Sequence, residues 1–95
     1  MKKHFSVSLC KNGILGGGLT VDEKGATYRT GKLTVDPKYR NLNMPFADLT
    51  AISKGRLLFF PTFTFQMKNG ESHQFIVFAR KRFRSFLHTL GWNIQ

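Results

Sequence analysis

Hydrophobic and polar residues alternate through most of this chain, and the alternation gives way to helical spacing once, near the end. Phe63, Phe65 and Met67 alternate with Thr62, Thr64 and Gln66, the period of a half-buried strand. Lys68-Asn69-Gly70-Glu71 supplies a tight turn, because Asn-Gly tolerates the positive φ angles that a hairpin needs. His73 to Phe78, rich in β-branched and aromatic residues, returns as a second strand. Phe83, Phe86, Leu87 and Leu90 then fall at i, i+3, i+4 and i+7, one stripe of a helix. Gly91 reads as its stop, with Trp92 placed to pack on Leu87. A helix with one apolar stripe must cover something apolar, and the only candidate is a β core.

The earlier part of the chain supplies that core. Phe5, Val7 and Leu9 alternate with Ser6 and Ser8 as a first strand, and Lys11-Asn12-Gly13 turns the chain. Gly16-Gly17-Gly18 reads as a bulge or a loose entry to the strand that Leu19 and Val21 begin. Asp22-Glu23-Lys24-Gly25 is a turn, and Ala26 to Thr30 returns. Lys32 to Val35 is a further candidate strand, broken by Asp36-Pro37. Leu42, Met44 and Phe46 alternate again, Pro45 marks an edge or a bulge, and Asp48 to Ser53 continues extended. Lys54-Gly55 reads as a turn and Leu57 to Phe60 as a short, very apolar strand. The result is about seven short strands closed by one helix, the pattern of a small barrel or sandwich. Phe59, Phe60, Phe63, Phe65, Phe75 and Phe78 are expected mostly in the core, although adjacent Phe59 and Phe60 cannot both point inward on a regular strand.

Length and composition narrow this to one domain, residues 1–95. The 41% hydrophobic content and ten Phe suit a globular chain. Cys10 is the only cysteine, so no intrachain disulfide is available, which points to a reducing, cytoplasmic setting. Met1-Lys2-Lys3 resembles the start of a signal peptide, but the apolar run that follows is too short. No stretch is long enough to span a bilayer as a helix.

Charge changes the picture most. Fifteen Lys and Arg face five Asp and Glu, a formal net charge of +10. Such a surface attracts phosphate-bearing or acidic partners. Arg80, Lys81, Arg82 and Arg84 cluster at the start of the helix, where cations oppose the macrodipole and no capping residue stands ready. A broken local rule of this kind can mark a site for an anion. His4, His73 and His88 lack metal-ligand spacing, and no nucleophile motif, carboxylate pair or phosphate-binding loop is present. Neither catalysis nor a metal or cofactor is therefore expected.

The run Met44-Pro45-Phe46-Ala47-Asp48-Leu49, continuing through Ile52 to Lys54-Gly55, resembles a step typical of the pleckstrin-homology superfamily. The hairpin from Gly18 to Arg29, the Asn-Gly hairpin and the terminal helix occur in the matching order. Over about residues 16 to 90 the chain is similar to the small bacterial PH-like and GRAM-type domains. The resemblance implies a bent seven-stranded antiparallel barrel or sandwich capped by one C-terminal α-helix. It also implies that loops at the end opposite the helix hold an anionic headgroup, as in lipid-binding members. Lys32 followed by Lys38-Tyr39-Arg40 fits the family's basic motif, although it falls in the third-to-fourth connection and not the first. Lys11, Lys32, Lys38, Arg40 and Lys68 are the loop cations that this geometry would bring together. The resulting expectation is a non-catalytic interaction domain that docks on an anionic membrane surface or an acidic protein partner, peripheral to the inner face of the membrane. A small basic barrel binding nucleic acid, and a structural module that self-associates into a homo-oligomer, are the alternatives.

Overall fold

A computed structural model describes residues 2–11, 13–31 and 37–94. Seven antiparallel strands form one strongly curled sheet in the order β4-β3-β2-β1-β7-β6-β5. The strands are β1 (Lys3–Cys10), β2 (Ile14–Val21), β3 (Gly25–Arg29), β4 (Asn41–Pro45), β5 (Leu49–Leu57), β6 (Phe60–Met67) and β7 (Ser72–Val77). A short helix α1 (Pro37–Arg40) precedes β4, a 3-10 turn (Phe46–Asp48) joins β4 to β5, and α2 (Arg80–Thr89) follows β7. The sheet stays open, with β4 and β5 at its edges.

Period-two alternation decides the inner face. Phe5, Val7 and Leu9 of β1, Leu19 and Val21 of β2, Phe63 and Phe65 of β6, and Phe75 and Val77 of β7 are all buried in one core. The stripe of α2 closes it. Phe83, Phe86 and Leu87 are buried, and Leu90 packs half-buried at the helix end. Phe83 is the pin: its ring meets Phe5 and Phe63 edge-on, each with centroids 4.9 Å apart. Burying a side chain of this size contributes about 1.5–3 kcal/mol. Gly91, at φ +96°, ends the helix, Trp92 N–H donates to the Leu87 carbonyl, and the Trp92 ring lies against Phe46.

Three expectations from the sequence are corrected. Gly16-Gly17-Gly18 is regular strand, fully paired with β1. The reason is packing: a Cβ on Gly17 would lie 2.4 Å from the Arg29 carbonyl oxygen and 2.8 Å from the Tyr28 ring. Lys54-Gly55 is not a turn but the interior of β5, with Gly55 opposite Thr62. The turn falls instead on Leu58-Phe59, between the paired residues Leu57 and Phe60. Finally, Phe63, Phe65 and Phe75 are core, but Phe59, Phe60 and Phe78 are exposed. Phe59 and Phe60 lie at the free tip of the β5–β6 hairpin, beyond the reach of the helix that covers the other rings. The candidate strand Lys32–Val35 lies outside the described residues.

Candidate functional site

A bulge controls what β5 presents to the interior. The register against β6 shifts between Leu49 and Ala51, so Leu49 and Ile52 both turn inward. From Ile52 onward the inward positions are Lys54, opposite Phe63, and Arg56, opposite Pro61. The core face of this strand therefore becomes cationic where the hairpin runs past the core. The contact between Phe63 and Phe83 brings that hairpin against the first turns of α2.

Between them lies a groove of about 510 Å³ into which Lys54, Arg56, Arg80, Lys81 and Arg84 converge, floored by Pro61 and Thr62. Among the described residues no carboxylate lines it. The start of α2 adds the partial positive charge of its helix terminus, since Ala79 in the capping position supplies no side-chain hydrogen bond. Like charges gathered this way repel one another and are relieved by an anion. Edge strands do carry inward charges that discourage sheet-to-sheet pairing, and Lys54 and Arg56 on edge strand β5 serve that end too. Edge protection asks nothing of the three cations on the helix.

Of the cluster expected at the helix start, Arg80, Lys81 and Arg84 line the groove. Arg82 turns the other way, its guanidinium 4.9 Å from the centre of the Phe5 ring and its Nη2 3.5 Å from the His4 carbonyl oxygen, to which it donates. Lys54 and Arg56 carry no local signal that marks them as site residues. The signal that finds them is the alternation Ile52-x-Lys54-x-Arg56, once the bulge fixes which face is inward.

The loop cations present a different picture. Lys38 donates to Glu71 at 2.8 Å, and both Lys11 and Lys38 lie over the Tyr39 ring, at 5.7 and 5.6 Å. Hydrogen bonds from Lys38 and Asn69 hold the Glu71 carboxyl below the usual carboxylate range. Arg40 is half-buried, and its Nε has no hydrogen-bond partner among the described residues. Lys68 lies in the β6–β7 turn and its backbone N–H donates to the Asp48 carbonyl. Lys32 lies outside the described residues. The structure thus gathers Lys11 and Lys38 around Tyr39 and Glu71, with a carboxylate among them.

Among the described residues no three His, Cys, Asp or Glu side chains are grouped to hold a metal ion. Burial pushes the Cys10 thiol up and the His73 imidazole down. Among the described residues no helix is long and apolar enough to cross a membrane.

No protein-family model matches the chain, and neither does any curated protein. Among solved structures it is similar to the C-terminal domain of an unknown protein from Leishmania infantum, with a TM-score of 0.76 at 10% identity, covering 93% of this chain and 80% of that one. At that identity the likeness shows a shared fold alone.

Proposed function

We propose that this protein is a non-catalytic module that docks on an anionic membrane surface through the groove between the β5–β6 hairpin and the start of α2. One observation carries the reading: five cations converge there with no carboxylate among the described lining residues. A surface displaying lipid phosphates neutralises all five at once, and each is worth about 1 kcal/mol beside an anionic leaflet. Among the described residues the groove has no thiol, imidazole or carboxylate for acid–base or nucleophilic work. Of the exposed aromatic rings, Phe59 and Phe60 lie at one hairpin tip and Phe78 just beyond β7, so they do not line up as a stacking row across adjacent strands, which favours a membrane over single-stranded nucleic acid.

The pleckstrin-homology resemblance belongs to the same proposal, supported by the strand order and the C-terminal helix over the core. The docking end is then reversed relative to what that resemblance implies. The loop end has its own carboxylate, Glu71, on Lys38, while the groove has none among the described residues.

Cosedimentation with phosphatidylcholine vesicles, with and without phosphatidylglycerol, tests the reading. The protein is expected in the pellet with the anionic vesicles only, and the triple variant Arg80→Ser, Lys81→Ser, Arg84→Ser in the supernatant with both. A wild-type protein that ignores anionic vesicles, or a triple variant that binds them as tightly, overturns it.

A further inference from the structure

The groove ends at an apolar projection. Leu58 and Phe59 form the two-residue turn of the β5–β6 hairpin and are 81% and 96% exposed. Phe60, the next residue, is 44% exposed. Adjacent apolar side chains of this size at a hairpin turn cost free energy while they stay in water and gain it on transfer to an apolar phase. The backbone makes the choice of residue sharper. Leu58 sits at φ +57°, the left-handed region where Gly or Asn is the ordinary occupant, and it is the only such non-glycine among the described residues. A fold selected for stability alone would place glycine there.

We infer that this tip is a wedge that enters the interfacial layer of an anionic bilayer, with Leu58 and Phe59 at the acyl boundary and the groove cations at the headgroups. The inference rests on the docking reading above and adds the part of the surface that leaves water. Spacing supports the bilayer as occupant. Arg56 is level with Pro61, two residues back from Phe59 along β6, and at about 3.3 Å of rise per residue it stands roughly 7 Å behind the tip. Apolar faces of interfacial segments sink about 5–10 Å, so the tip reaches the acyl boundary as the guanidinium reaches phosphate. Charge supports it as well. Lys54 and Arg56 stand immediately behind the tip, and the carboxylates Asp48 and Glu71 belong to the far ends of these strands, beside Lys68 and Lys38. The same collar of cations opposes tip-to-tip contact with a second copy carrying a net +10.

The test uses the full chain and two independent readouts. Phe59→Trp places a second indole at the tip, and the wild type, whose one Trp is Trp92 against Phe46, is the control. With phosphatidylcholine–phosphatidylglycerol vesicles, the emission of the introduced indole is expected to shift to the blue and to be quenched by brominated acyl chains, while that of the wild type stays unchanged. Leu58→Ser with Phe59→Ser is expected to weaken partitioning about tenfold or more with no loss in melting temperature, since both side chains are exposed. If the wild type sediments with anionic vesicles but the tip indole is unshifted, or the Ser pair binds as the wild type does, the wedge is wrong and groove docking stands. If the wild type does not sediment at all, both fall. A dimer in sedimentation equilibrium that the Ser pair dissociates would make the tip a self-association surface, and the wedge fails.

Discussion

The two ends of this sheet use the same residue types for opposite purposes. At the β3–β4 and β6–β7 loops, Lys38 is spent inside the molecule: it bonds Glu71 and, with Lys11, packs on Tyr39, tying three connections together. At the β5–β6 hairpin, Lys54, Arg56, Arg80, Lys81 and Arg84 line one groove with no carboxylate among the described residues, next to an apolar tip. Cations that meet an internal partner stabilise loops modestly. Cations that meet only each other repel, and on the docking proposal an external anion relieves them. Composition counts both sets alike, and only their placement separates a charge paired within the molecule from one gathered with its own kind.

The change expected to disturb this contrast most is Phe83→Ala. It empties the position where Phe5 and Phe63 meet the helix, costs about 3–5 kcal/mol in urea unfolding, and unseats the helical wall of the groove. Anionic vesicle binding should fall with it, while Phe83→Leu should retain most of both. Next is the paired charge experiment. Removing Arg80, Lys81 and Arg84 is expected to lower vesicle affinity by about 100-fold, at about 1 kcal/mol each. Replacing Lys11, Lys38 and Lys68 removes the same net charge and should cost only a few-fold in a cosedimentation titration. Equal losses would mean that net charge alone drives binding and that the two ends do not differ.

Leu58→Gly should separate stability from docking. Leaving the left-handed leucine gains about 1–2 kcal/mol, offset by about 0.5–1 kcal/mol of glycine entropy, so the melting temperature should stay level or rise slightly. Vesicle partitioning should drop in the same sample. The smallest effect belongs to the loop end and is read as stability against pH. Burial lowers the His73 pKa, chiefly by desolvation, with Lys11 and Lys38 adding to it and Glu71 opposing. The folded state therefore keeps His73 neutral where the unfolded chain already takes a proton. Stability should be full above about pH 6.5 and decline as pH falls below it, until the folded imidazole also protonates. Denaturant midpoints of wild type and His73→Gln should converge at acid pH, with vesicle binding following neither curve.

Much of the fold is legible in local pattern. The Phe63–Met67 alternation, the Asn69-Gly70 turn and the Phe83–Leu90 stripe each become the element that their period implies, because a residue's neighbours at two or at three and four positions decide which face it shares. The misreadings come from glycine. Gly55 looks like punctuation but lies in a strand, where a Cβ would stand only 3.2 Å from the Thr62 hydroxyl. The real turn is made by Leu58 and Phe59, which no turn propensity favours. That single error hid the apolar tip inside an apparent strand and set Lys54 in an apparent loop. The helix cations of the candidate site were visible as a cluster, but Arg82 could not be told from its neighbours until it was seen against Phe5.

By itself the sequence determined the β core, its helical cover, the excess of positive charge and the absence of a second cysteine, because these depend on residue type and on spacing along the chain. Only the tertiary structure decided which cations converge, which are neutralised within the molecule and which rings stay in water. Those outcomes turn on a one-residue register shift in β5 and on the seat of Phe83, contacts between segments far apart in the chain that no local period encodes.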